Sequence, residues 1–388
     1  MNKKNKVPKA AIVTWCYNNG RTNYGQILQC YAMQTIVRRL GYDTKVIRYR
    51  KRELDEPQVW EGKPLWLIDL YEVWFRLRKV EQGFDIRIKR FLTFIRKNIV
   101  LSRQCYTKAE VEEECRDCEL LVCGSDQIWN PLWFEDIYAL NFGEPWQKKI
   151  AYAPSGVLIE NTQNERIYRE LGRCIDRLKL ATVREKKSAE ILKKYTNKEI
   201  VDVADPTLLL SREEWNLVAS KGEIKEPYIF CYSMGRLRTH KVLLRRIMEN
   251  YHGVKILFLT AGFYEHENEL ETGGYFYPVK DAGPGEFISL IRGARAVCTD
   301  SFHGLALAII YQKQFYILER DSKEAYLSAN FMRQENLLKK VAIKQNRYIR
   351  CVKELEALEE IDYENVHLEL CREEAEELIK NALKGEAF

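Results

Sequence analysis

Val297-Cys298-Thr299-Asp300-Ser301-Phe302-His303-Gly304-Leu305-Ala306 is the stretch from which both fold and chemistry can be read. Arg295 to Thr299 is a short β-prone run after Gly293, which predicts a buried strand. Ser301 to Gly304 break that run, and Leu305-Ala306-Leu307-Ala308-Ile309-Ile310 predict an apolar helix. A polar break between strand and helix is where an open α/β sheet places its chemistry, outside the carboxyl end of a strand. The helix N-terminus that follows offers unpaired backbone N–H groups and the positive end of a dipole, a seat for an anion. Asp300, Ser301 and His303 fall within four residues at that point, and the chain has only five histidines. The plainer alternative is that Asp300 or Ser301 caps the helix and His303 is structural.

Outward from this stretch, the same strand-then-polar-loop pattern recurs. Ala10 to Trp15 predicts a strand, followed by the turn-rich loop Asn18 to Gly25, a helix carrying Ile27, Leu28, Tyr31, Ile36 and Leu40, and a second strand at Thr44 to Ile47. Gly20 and Gly25 are wrongly spaced for a dinucleotide fingerprint, and no phosphate-loop lysine is present. Glu119 to Cys123 ends in Gly124-Ser125-Asp126, Lys149 to Ala153 in Pro154-Ser155-Gly156, and Leu180 to Val183 in Arg184-Glu185. An arginine at a strand end presents a planar fork to carboxylate or phosphate, although a surface Arg184–Glu185 pair is an alternative. Strand and helix alternate again from Tyr228 to Leu318, and Arg320, Lys323 and Arg333 follow in what reads as a polar loop. The alternation predicts an α/β protein with two Rossmann-like parallel-sheet domains facing a cleft. The expected divisions are 1–176, with a basic and aromatic helical insertion at 60–100, then 177–345, then a helical tail at 346–388 packing across both.

The totals agree with two domains, since 388 residues exceed a single ordinary core. A net charge of +6 is compatible with anionic small molecules or an anionic membrane surface and is far from a nucleic-acid footprint. Eleven cysteines, several inside apolar strands, and an N-terminus that leads straight into a strand predict reduced thiols in a cytoplasmic protein. The one CxxC, Cys115 to Cys118, has no second pair at zinc spacing, so no metal site is expected. From 64 to 98, apolar residues including Trp66, Trp74 and Phe75 run beside Arg87, Lys89 and Arg90. Such a stretch either touches a membrane surface peripherally or covers the first sheet with an ordinary basic face.

Together these loops resemble the polysaccharide pyruvyl transferase family. The matching pieces, in family order, are Asn23-Tyr24-Gly25 with Leu28-Gln29-Cys30-Tyr31-Ala32, Gly124 to Asn130, Ala151 to Ser155, Val183 to Lys186, Asp205 to Leu209, and Thr299 to Gly304. The resemblance implies a fold similar to GT-B glycosyltransferases. It also implies transfer of pyruvate from phosphoenolpyruvate to two hydroxyls of a sugar, giving a cyclic ketal on a cell-surface or capsular polysaccharide precursor. No metal or cofactor is implied beyond phosphoenolpyruvate as co-substrate. The acceptor is nucleotide-linked, lipid-linked or polymeric. On this reading His303 is the acid–base group with Asp300 orienting it, and Arg184, Ser301, Gly304 and Arg333 bind the donor. Asn18, Asn23 and Asp126 face the acceptor. The rival readings are a nucleotide-sugar glycosyltransferase and a non-catalytic glycan- or membrane-binding protein on the same scaffold.

Overall fold

The computed structural model describes residues 7–16, 22–51, 84–156, 162–222, 224–235, 237–260, 274–320, 326–345 and 347–385. Two parallel sheets form its framework. The first contains β1 (Lys9–Val13), β2 (Asp43–Tyr49), β3 (Leu101–Cys105), β4 (Leu120–Cys123), β5 (Lys148–Ala151), β6 (Leu180–Val183) and β7 (Val201–Asp202), in the order β3-β2-β1-β4-β5-β6-β7. The second contains β8 (Tyr228–Ser233), β9 (Lys255–Thr260), β10 (Phe276–Pro278), β11 (Ala296–Thr299), β12 (Gln314–Leu318) and β13 (Tyr348–Ile349), in the order β10-β9-β8-β11-β12-β13. Strands β4, β6, β8 and β11 are buried at every residue, as parallel strands covered on both faces must be.

Each sheet reverses its winding once, between β1 and β4 in the first and between β8 and β11 in the second. At such a switch point the loops leaving the two strands run to opposite faces and open a crevice at their carboxyl ends. Register keeps the paired ends level: Val13 lies beside Cys123, and Thr299 beside Tyr232.

The second sheet begins at Tyr228, so the division expected at 176/177 falls inside the first domain. Ile150 pairs with Leu180 and Thr182 with Val201, which makes β6 and β7 the edge of the first sheet. A four-residue apolar strand has the same pattern in either sheet, and pairing partners are not written in periodicity.

Six helices matter to the site: α1 (Tyr24–Arg39), α2 (Phe84–Asn98), α3 (Pro284–Gly293), α4 (Phe302–Ile310), α5 (Tyr326–Lys340) and α6 (Leu368–Lys384). Arg333 lies on α5, where a polar loop was expected. The domains meet where α1 and α2 face α3. Tyr24 stacks on Phe287 at 4.5 Å and its hydroxyl donates to the Ala282 carbonyl at 2.6 Å. Arg87 is buried and donates to the carbonyls of Lys280 and Thr260, while Arg90 pairs with Asp281. These two cations of the basic stretch therefore grip the second domain instead of presenting a membrane-facing surface, and residues 64–83 of that stretch lie outside the described residues. Near the chain's end, Arg372 donates to the carbonyls of Leu208 and Leu210, and Lys148 to that of Leu383. All eleven cysteines are free thiols. Among the described residues no helix is long and apolar enough to cross a membrane.

Candidate active site

The His303 imidazole sits at the start of α4, directly past the carboxyl end of β11. Ser301 caps this helix, its hydroxyl accepting from the Gly304 amide at 3.4 Å. Ser301 and Gly304 are thereby engaged with each other, and the helix geometry leaves the amides of Phe302 and His303 without intrahelical acceptors. Gly304 is closely fitted, since a Cβ there would stand 2.7 Å from the Thr299 hydroxyl.

His303 points across the domain boundary. A Cβ on Gly25, in the first turn of α1, would lie 2.1 Å from His303 Nδ1, so the ring rests against bare backbone of the first domain. His303 Nε2 faces Asp205 Oδ1 at 3.9 Å, too far for a hydrogen bond. That nitrogen is buried and has no hydrogen-bond partner. Burial pushes the imidazole pKa down to about 4; Asp205 opposes the shift, and Arg184 and Arg333 add to it. At neutral pH the ring is uncharged.

Asp205 is the hub of the site. Its Oδ1 accepts from the amide and hydroxyl of Thr207, capping the short helical turn Pro206–Leu209. Its Oδ2 accepts from Arg184 Nη1 at 2.8 Å and lies 2.7 Å from the Ser125 hydroxyl. Burial pushes this carboxyl up, but Arg184, His303 and the hydrogen bonds outweigh it and hold the pKa below the ordinary value. Arg184, 2% exposed, lies with its guanidinium carbon 4.4 Å from the centroid of the Phe302 ring. Its Nε and Nη2 are buried without hydrogen-bond partners. The site therefore holds a fixed carboxylate, a half-satisfied guanidinium and a neutral imidazole, all withdrawn from water.

Asp126 follows β4 in a left-handed conformation, φ 67°, which aspartate tolerates better than most residues. Burial pushes its carboxyl pKa up, opposed by Arg184, the Gln127 amide and Arg333. Arg184 and Arg333 thus act electrostatically on both Asp126 and His303. Gln29 ties the loops together: its side chain donates to the Trp15 carbonyl and accepts from the Ser125 amide.

Asp300 does something other than orient the imidazole. Its carboxylate accepts from the amides of Met234 and Gly235, at 2.7 and 2.8 Å, and from Arg320 Nε at 3.0 Å. It fastens the loop after β8 to the loop after β11 across the switch point. The carboxylate that faces His303 is Asp205. Asn23 is the N-cap of α1, accepting from the Gln26 amide at 3.3 Å. Asn18 lies outside the described residues. Among the described residues no three His, Cys, Asp or Glu side chains are grouped as metal ligands.

Residues 23–322 match the family described as polysaccharide pyruvyl transferase. Among solved structures, the putative UDP-N-acetylglucosamine 2-epimerase of Listeria monocytogenes is similar with a TM-score of 0.50 at 10% identity, covering 98% of this chain and 90% of that one. The UDP-GlcNAc 2-epimerase of Neisseria meningitidis bound to UDP-GlcNAc gives 0.49 at 9% identity, covering 97% and 99%. The glycotransferase of kitacinnamycin gives 0.48 at 12%, covering 97% and 98%. At its low identity the first of these speaks to the fold alone, the GT-B arrangement of two facing parallel-sheet domains. No curated protein matches the sequence. With the family match spanning more than half of the chain and including the Asp205 and His303 segments, the protein belongs to the polysaccharide pyruvyl transferase family.

Proposed function

We propose that the protein transfers the pyruvate group of phosphoenolpyruvate to two hydroxyls of a sugar acceptor, forming a cyclic ketal and releasing phosphate. The observation that carries this reading is the set of buried polar atoms without hydrogen-bond partners: Arg184 Nη2, His303 Nε2, and Arg184 Nε, which faces the Glu185 carboxylate at 3.7 Å, too far for a hydrogen bond. Donors left unsatisfied in a dry site cost about 1–3 kcal/mol each, and an incoming anion removes that cost. Phosphoenolpyruvate brings a carboxylate and a phosphate, suited to the Arg184 fork, to Arg333 and to the first amides of α4.

The neutral state of His303 fits this scheme. An anion bound beside the imidazole favours its charged form, so donor binding draws a proton onto the ring. The imidazolium then protonates the methylene carbon, and C2 becomes oxocarbenium-like. The first sugar hydroxyl adds to C2, and His303 or Asp126 takes its proton. Phosphate departs with the electrons of the C2–O bond, and the second hydroxyl closes the ketal. Of the two hydroxyl protons, one ends on the new methyl group and the other on phosphate, so the acid–base group returns to its starting state. Ser155, Glu185 and Ser188 form a hydrogen-bonded cluster behind Arg184 that holds the strand end in place.

The test is melting temperature and calorimetric titration with phosphoenolpyruvate or uridine diphosphate, on wild type and Arg184→Lys. Lysine keeps a charge beside Asp205 but loses the planar fork. Phosphoenolpyruvate at about 100 times its Kd stabilises wild type by roughly 2.7 kcal/mol, and affinity falls about tenfold or more in the variant. Stabilisation by uridine diphosphate and not by phosphoenolpyruvate overturns the reading in favour of a nucleotide-sugar transferase.

A further inference from the structure

Helix α5 belongs to the second domain, since it connects β12 to β13, yet one side of it lies on the first. Its own domain holds it through buried Leu337 and Leu338, and through Tyr348 on β13. The Tyr348 ring packs on Phe331 with centroids 4.4 Å apart, and its hydroxyl donates to the Gln334 side chain. Asn336 and Lys340 fall at i and i+4 and so share another side of the helix. Lys340 reaches Asp202, the last residue of β7, with its ammonium 2.7 Å from the carbonyl oxygen and 2.6 Å from the carboxylate. Asn336 Nδ2 donates to the carbonyl of Arg184 at 2.8 Å.

The place of Arg184 in the chain explains why that bond matters. Strand β6 ends at Val183, whose carbonyl accepts from the Val203 amide. The short helix that follows, Lys186–Leu192, begins its bonding at the Glu185 carbonyl, which accepts from the Ala189 amide. The Arg184 carbonyl falls between the two and belongs to neither. A buried carbonyl so placed must find its partner elsewhere, and here the partner comes from the opposite domain. The Arg184 amide donates to the Pro154 carbonyl at 3.2 Å, so the residue is fixed at both ends of its backbone. Its guanidinium donates from Nη1 to Asp205 and lies 4.4 Å from the Phe302 ring centroid, but Nη2 has no hydrogen-bond partner. A long side chain with unsatisfied donors at its tip takes much of its position from where its backbone is held.

We propose that Asn336 is a positioning residue for Arg184, holding the backbone of the arginine from the second domain so that its fork is in place while α5 lies against the end of β6. What the fork binds rests on the phosphoenolpyruvate reading; the hold itself does not. Asn336 acts through Arg184 and not on substrate, and Lys340 fastens the same helix without contacting Arg184.

The experiment compares wild type, Asn336→Leu, Asn336→Gln and Lys340→Met by amide hydrogen exchange over residues 180–190 and by calorimetric titration with phosphoenolpyruvate. Leucine is a good helix former with no donor, so α5 itself is preserved. Asn336→Leu is expected to speed exchange of the Arg184 amide and to weaken phosphoenolpyruvate binding about tenfold. Asn336→Gln, which keeps an amide donor, recovers part of that affinity. Lys340→Met leaves both readings at wild-type values. In an Arg184→Lys background, where the fork is already lost, Asn336→Leu weakens binding by roughly twofold at most. Exchange at Arg184 that is unchanged in Asn336→Leu, or raised as much in Lys340→Met, overturns the positioning role. So does wild-type phosphoenolpyruvate affinity in Asn336→Leu, or a full tenfold loss in the Arg184→Lys background. Faster exchange in Asn336→Leu alone, with no phosphoenolpyruvate binding by wild type, supports the hold and overturns the donor assignment instead.

Discussion

Gly25→Ala tests whether the imidazole works in the position seen. The added methyl would stand 2.1 Å from His303 Nδ1 and 2.6 Å from Cε1. Restoring an ordinary contact of about 3.5 Å requires a displacement of roughly 1.4 Å. The ring must take most of it, because Gly25 belongs to α1, whose neighbours Tyr24, Ile27 and Leu28 are fully buried. Two effects on stability oppose each other. Alanine in a helix is worth about 0.5–1 kcal/mol over glycine, and overpacking costs about 1–3 kcal/mol. The net change in Tm is therefore a few degrees at most. Function responds far more strongly, since a misplacement of about 1 Å can cost on the order of 100-fold. Phosphate release from phosphoenolpyruvate with an accepted sugar is expected to fall by about that factor. Proton uptake on donor binding, read by calorimetry in buffers of different ionisation enthalpy, is expected to disappear. Gly25→Ala with wild-type turnover and wild-type proton uptake would refute the assignment of His303 as the group that receives the proton.

Two further outcomes follow from the same electrostatics. The unfolded chain binds a proton at His303 near pH 6.5 while the folded protein does not until about pH 4. Acidification between those values therefore removes on the order of 3 kcal/mol of stability, which is fully present above pH 6.5. Urea titrations across that range should show the loss in wild type and a flatter profile in His303→Gln. In the second, Asp205→Asn removes the charge that favours the imidazolium and moves the His303 titration, followed by imidazole NMR, still lower, with about 3 kcal/mol of stability lost as Arg184 loses its hydrogen-bonded buried carboxylate and keeps the longer pair with Glu185. Asp300→Asn leaves that titration in place, because its carboxylate serves Met234, Gly235 and Arg320.

The sequence exposed the strands and the loops after them because buried parallel strands are short apolar runs, and those runs end abruptly at Asp300, Asp126 and Arg184. It located the histidine and the arginine for the same reason. It did not say which carboxylate meets the imidazole. Asp300 is three residues from His303, but a residue just past a strand and one in the first turn of the following helix point in different directions. Asp205 is 98 positions away and reads as the cap of a turn before Pro206. It is that cap, through Oδ1, and the same oxygen faces the imidazole at 3.9 Å while Oδ2 accepts from Arg184. Gly25 carried a spacing argument against a dinucleotide loop, and nothing local said that a ring from the other domain would lie on it. The division between the domains was lost in the same way, since β6 is as apolar as any strand of the second sheet. Pairing across distance is what the local pattern omits.

That omission bears on how the site works. The imidazole is carried by the second domain, whereas the backbone it rests on, the carboxylate it faces and Arg184 all come from the first. None of these contacts exists within a single domain. The burial that keeps His303 neutral, and that leaves Arg184 short of hydrogen bonds, arises only where the two sheets face each other. Tyr24 on Phe287 and Ala282, and Arg87 on the carbonyls of Lys280 and Thr260, hold that arrangement away from the site itself. On the proposed reading, the strength of donor binding is thus coupled to domain apposition. A donor that satisfies Arg184 and charges His303 adds its binding energy to the contacts that keep the domains together, and any weakening of the Arg87 grip should appear as weaker donor binding although Arg87 lies outside the site.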